Sequence, residues 1–191
     1  MIYIAKDYSN LQNIGKISNE AMALHLKLYA GYVTNINTIE DKLAKIGNNI
    51  ADNLQEFNEL HRRFGWEYNG MKLHEIFFGN LSNDKTSPDP SLPLIQKIVE
   101  TWGSFEAWKS EFYNIAKMRG FGWTMLVQDG EGKLFNTWVN EHDVGVPANC
   151  KILLVADMLE HAYISDFGTD RVPYLDSLFD HMNWEGVSVN I

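Results

Sequence analysis

The stretch Ile152-Leu153-Leu154-Val155-Ala156-Asp157-Met158-Leu159-Glu160-His161-Ala162-Tyr163 decides how the chain is read. Its first five residues form a short apolar run with β-branched members, which predicts a buried strand. That strand delivers Asp157, with His161 four positions later. A charged group in such a place has to be paired or bound to a metal. Two upstream histidines, His25 and His74, fall on predicted helices among apolar neighbours. Three imidazoles and one carboxylate suit a redox-active transition metal.

Working outward, Ser18-Asn19-Glu20 is a helix-start signal. Behind it Met22, His25, Tyr29, Tyr32, Ile36, Ile39, Leu43 and Ile46 recur at alternating steps of three and four. That seam predicts one long helix with His25 pointing inward. Gly47-Asn48-Asn49 breaks it, and Ile50, Leu54, Phe57, His61 and Phe64 form a second seam. Gly65 is expected to interrupt that helix. Met71, His74, Phe78 and Leu81 then make a third, short seam with His74 inward. A linker rich in Pro, Ser and Asp runs from Ser82 to Pro93, so the chain divides into residues 1–87 and 88–191.

Residues 94–119 read as two helices, one ending near Trp102-Gly103 and the next capped by Ser104. Gly120-Phe121-Gly122 closes the second. Trp123–Val127 and Leu134–Val139 read as strands joined by the turn Asp129-Gly130-Glu131-Gly132. With the strand before Asp157 they complete a small antiparallel sheet. Pro173 to Trp184 reads as a closing helix. The fold class is α+β: a long antiparallel helical hairpin, then a three-stranded antiparallel sheet with flanking helices.

At 191 residues with 45% hydrophobic and 13% aromatic side chains, the chain can bury a sizeable core. Its formal charge of −9 argues against nucleic acid and anionic membranes as partners. The single Cys150 excludes an internal disulfide and suits a reducing compartment. No secretory signal or membrane-spanning run is evident, so a cytoplasmic location is expected. His61 reads as structural, His181 as a solvated helix residue, and Cys150 as inert.

Asp157-x-x-Glu160-His161-Ala162-Tyr163 resembles the signature of the iron/manganese superoxide dismutases. Gly120-Phe121-Gly122-Trp123-Thr124-x-Leu126-Val127, Gly31–Asn37 and His74–Phe78 resemble other segments of that family, in the same order from about residue 15 to residue 187. The resemblance implies a superoxide dismutase holding one Fe or Mn per subunit on His25, His74, Asp157 and His161, between the two halves. It implies superoxide as substrate and a homodimer. Tyr32 would lie in the substrate funnel, and His142 would hydrogen-bond to the metal's solvent ligand. Gly70 fits the branch in which that group comes from the second half. Trp123 and Phe78 would line the pocket, and Arg171 would lie near the funnel. Glu160 and Tyr163 would support the dimer.

An electron arriving with a proton leaves the net charge of such a site unchanged, which a low-dielectric pocket requires. This chain also departs from the family pattern. The spacing from His25 to Tyr32 is one residue shorter than in many members, and the funnel histidine is missing, with Tyr29 or Leu28 near its place. Leu159 and Phe78 stand where Trp is common. The altered funnel keeps a second reading open, a metal-binding protein of this type with little or no turnover.

Overall fold

The computed structural model describes residues 2–189 and 191. Helix α1 spans Asn19–Ile46, with the Ser18 side chain accepting a hydrogen bond from the Ala21 amide at its start. Gly47 ends it at a positive φ of 53°, a conformation that glycine adopts at little cost. A 3-10 turn over Ala51–Asn53 leads into α2, Leu54–Gly79. Contacts between the two helices run in opposite order along them. Lys42 pairs with Glu56, Asn35 with Glu67, and the His25 ring meets His74. The hairpin is therefore antiparallel.

Buried Met22, His25, Tyr29, Val33, Ile36 and Ile39 form the inner stripe of α1, close to the expected seam. On α2 the structure differs from the sequence reading. The helix runs through Gly65 without a break, because that position faces solvent and the hairpin packing offsets the cost of glycine inside a helix. Leu60 is buried, whereas Leu54 and His61 are exposed, and His61 stacks on Phe57.

An irregular strap precedes α1 and ties it to α2. Tyr3 and Asn37 exchange two hydrogen bonds, the Lys6 amide donates to the Tyr29 hydroxyl, and the Tyr8 hydroxyl donates to the Glu75 carbonyl. After α2 come α3 (Pro93–Trp102) and α4 (Phe105–Ala116), the latter capped by Ser104 as expected.

Strands β1 (Gly122–Gln128), β2 (Leu134–Asn140) and β3 (Lys151–Asp157) form an antiparallel sheet in the order β2-β1-β3. The central strand β1 is buried almost throughout. Its register places Trp123 opposite Asp157 on one side and opposite Val139 on the other. Helix α4 and the C-terminal helices cover the sheet with a cluster of Trp108, Phe112, Phe179 and Trp184.

Three helices finish the chain: α5 (Glu160–Phe167), α6 (Arg171–Asp180) and α7 (Trp184–Ser188). The single closing helix expected from Pro173 to Trp184 is thus two. Met182 breaks it by bridging to Leu81, and Asn183 caps α7 by accepting from the Gly186 amide. The same crossing buries His181, contrary to the solvated position expected. Its Nδ1 meets the Ser82 carbonyl at 3.0 Å, and its own carbonyl accepts from the Ser82 amide. Among the described residues no helix is long and apolar enough to cross a membrane.

Candidate metal centre

Four elements aim side chains at one point. Helix α1 supplies His25, α2 supplies His74, the end of β3 supplies Asp157, and α5 supplies His161. One donor atom from each lies within 4.8 Å of the others. Asp157 Oδ2 is the common neighbour, at 3.1 Å from His25 Nε2, 3.2 Å from His161 Nε2 and 3.5 Å from His74 Nε2. The other carboxylate oxygen, Oδ1, accepts from the Leu159 amide at 2.9 Å, which fixes the turn between β3 and α5. That turn carries the chain into a helix whose first residues present His161 back to Asp157.

Burial pushes the His25 and His74 imidazoles below their ordinary range, so both are neutral at neutral pH. Burial alone would raise the Asp157 carboxyl, but the field of His161 and hydrogen bonds from His161 and His25 outweigh it and hold the group ionised. Deprotonated carboxylate and neutral imidazole are the forms that bind metal.

His74 tests whether the residues fit a cation. Its Nδ1 lies 2.6 Å from the Gly70 carbonyl, so the one proton of the neutral ring sits there. Its Nε2 therefore presents a lone pair, is fully buried, and has no hydrogen-bond partner among the described residues. The atom it faces is a carboxylate oxygen. Two lone pairs held this close repel each other unless a cation lies between them. A set of three nitrogens and one oxygen suits a first-row transition ion.

A second group of side chains stands beside this cluster. Trp123 Nε1 donates to His142 Nδ1 at 3.0 Å, and His142 Nε2 lies 2.8 Å from the Tyr32 hydroxyl. Burial pushes His142 down to about 4, so the ring is neutral. Indole N–H can only donate, so Nδ1 accepts and the His142 proton resides on Nε2. Tyr32 Oη thus accepts from His142, and its own proton points elsewhere. Burial, then the fields of Asp157 and Glu67, push the Tyr32 hydroxyl far above its ordinary range. The Tyr32 ring packs on His74 at 5.0 Å between centroids. Gly70 makes room for it, since a Cβ at that position would lie 2.6 Å from Tyr32 Cδ1.

A cavity of about 710 Å³ opens over Tyr32 and His161, with Leu24, Leu28, Arg63 and Trp66 among its walls. Leu28 lines it, whereas Tyr29 is buried on the opposite side, its hydroxyl accepting from the Lys6 amide and directed at Glu75. Phe78 is buried against His25 and Tyr29. Arg171 does not line this cavity. Its guanidinium donates to the Tyr163 hydroxyl and to the carbonyls of Ala116, Met118 and Gly120. Tyr163 is buried, and Glu160 is exposed at the start of α5.

Trp66 is a pocket residue that sequence reasoning missed. Its ring packs 4.5 Å from His142 and 5.5 Å from Tyr32, and its Nε1 donates to Glu141. It stands two helical turns before His74 on the same face, which is the signal that could have found it. Glu141 holds a positive φ of 49°, uncommon for a residue with a side chain, and this bend aims Glu141 and His142 at the pocket.

Residues 90–190 match the sequence profile of the iron/manganese superoxide dismutases, C-terminal domain. The chain is 36% identical to a superoxide dismutase [Fe] of Aquifex pyrophilus, over 96% of this chain and 88% of the relative. It is 34% identical to a superoxide dismutase [Mn/Fe] of Propionibacterium freudenreichii subsp. shermanii, over 96% of this chain and 91% of the relative. A superoxide dismutase [Mn] of Haloferax volcanii is 32% identical, over 88% of this chain and 84% of the relative.

Proposed function

Since the chain belongs to the iron/manganese superoxide dismutase family, we propose that it converts two superoxide anions and two protons to one O2 and one H2O2. His25, His74, Asp157 and His161 hold one Fe or Mn per subunit, and when bound that ion supplies the one-electron redox cycling. The observation that carries this reading is the buried, lone-pair-bearing His74 Nε2 facing Asp157 Oδ2.

The protein's own groups then have defined work. Neutral imidazoles and a single carboxylate leave the ion a net positive charge, which favours an approaching anion. The Leu159 amide and the Gly70 carbonyl fix two of the ligands in orientation. Trp123 sets the tautomer of His142, and His142 in turn occupies one lone pair of Tyr32 Oη. Tyr32 thereby keeps its proton at the cavity, at hand for the peroxide product. Both ring nitrogens of His142 are engaged, so it acts through Tyr32.

We read the chain as two halves, 1–87 and 88–191, with the centre between them. We also read it as a cytoplasmic homodimer. Exposed Leu24, Leu28 and Ile164 lie around the cavity that His161 lines, and Phe121 and Val172 lie around the groove that Glu160 and Tyr163 line. This apolar band supports a pairing face, with the exposed Glu160 free to reach a second copy.

Loading the protein separately with Fe and with Mn tests the activity. At least one form should remove superoxide well above the same amount of free metal. Metal-loaded protein at free-metal background with both ions would leave a binding protein without turnover.

A further inference from the structure

In a chain of net charge −9, the cavity over Tyr32 has two cationic side chains in its wall, Lys27 and Arg63, and no carboxylate. Arg63 is held in place rather than waving in solvent. Its guanidinium lies 3.7 Å over the Trp66 ring, and its Nε donates to Glu67 Oε1 at 2.9 Å.

The partner carboxylate does not cancel it at the cavity. Glu67 is 3% exposed, lies beneath the wall and also accepts from Asn35. The Arg63 side chain is 43% exposed. The pair therefore stands with its positive end toward the cavity and its negative end in the protein. The two terminal guanidinium nitrogens have no partner among the described residues. Lys27 sits on α1, exposed and without an ion pair among the described residues.

The other candidate for this role, Arg171, has its donors committed to Tyr163 and three backbone carbonyls away from this cavity. The geometry points to Arg63, with Lys27, as the specificity-determining cations that draw a small anion into the cavity and hold it against Tyr32. This inference rests on the proposed superoxide dismutase activity. A low-dielectric cleft focuses the field of a few local charges even where the surface as a whole repels the substrate.

The test uses the full-length, metal-loaded protein and two readouts: kcat/KM for superoxide against ionic strength, and the Kd of azide, a small unreactive anion, from optical titration. Arg63→Gln removes one charge and should lower kcat/KM and azide affinity about threefold each at low salt. Arg63→Lys keeps the charge and should stay near wild type. Arg63→Gln leaves Glu67 without its partner and can unfold the hairpin, so Lys27→Glu is the second arm. That residue has no partner to lose, and reversing its charge should cost about tenfold at low salt. Both deficits should shrink as salt screens the field. Lys133→Glu makes the same change in total charge on the far turn between β1 and β2, and should alter neither readout. Wild-type azide affinity and salt dependence in both Arg63→Gln and Lys27→Glu would overturn the inference, as would an equal loss in Lys133→Glu. Absence of turnover in the wild-type protein would strike the dismutase reading alone, because azide binding reads the cations without it.

Discussion

Gly70 serves two neighbours at once. Its carbonyl fixes the His74 tautomer, and its missing side chain makes room for the Tyr32 ring. Gly70→Ala would press a methyl into that ring and break the 2.8 Å contact between Tyr32 and His142. Overpacking of this kind costs about 1–3 kcal/mol. We expect lower stability by denaturant unfolding and at least several-fold lower superoxide removal, with metal content by mass spectrometry unchanged, since no ligand is touched. At this scale much of the site was legible in the chain. Asp157 and His161 announce each other by spacing at a strand end, and His25 and His74 by inward seam positions. What stayed illegible were the groups whose role depends on a neighbour in space. Arg63 has no motif; it matters because Trp66 and Glu67 aim it. Tyr29 and Leu28 are adjacent in sequence, and only the rotation of α1 decides that Leu28 faces the cavity.

Helix α2 shows where reading by element succeeds and where it fails. The caps at Ser18 and Ser104 and the turn at 129–132 were legible because each rests on a local hydrogen bond. Gly65 misled because a glycine in a helix costs only about 1 kcal/mol, and packing across a long hairpin offsets that. The split between α6 and α7 and the burial of His181 come from the contact of residues 181–182 with 81–82, distant in sequence and silent in any local pattern. Gly65 and Gly70 lie on one helix yet predict opposite outcomes. A Cβ at Gly65 meets nothing within 4 Å, so Gly65→Ala should raise stability by about 0.5–1 kcal/mol and leave activity unchanged. Chemical denaturation of the metal-free protein would measure this directly.

Across the whole molecule the four donors come from α1, α2, β3 and α5, so the ion ties together segments from His25 to His161. An ion that binds only the folded chain stabilises it by roughly 3–4 kcal/mol at 100 to 1,000 times its Kd. Removing the metal with a chelator should therefore lower Tm. The sign with pH follows from the ligands. Each imidazole must be neutral to bind, so protons compete and the gap in Tm between loaded and metal-free protein should narrow as pH falls from 8 toward 4. Thermal scans of both forms at several pH values check this, and a gap independent of pH would place the ion on other groups. The most direct measurement is anomalous diffraction from crystals of the Fe- or Mn-loaded protein. The account predicts one peak per subunit, bonded to Nε2 of His25, His74 and His161 and to Oδ2 of Asp157. A peak elsewhere, or a well-ordered loaded protein with none at that point, would contradict it.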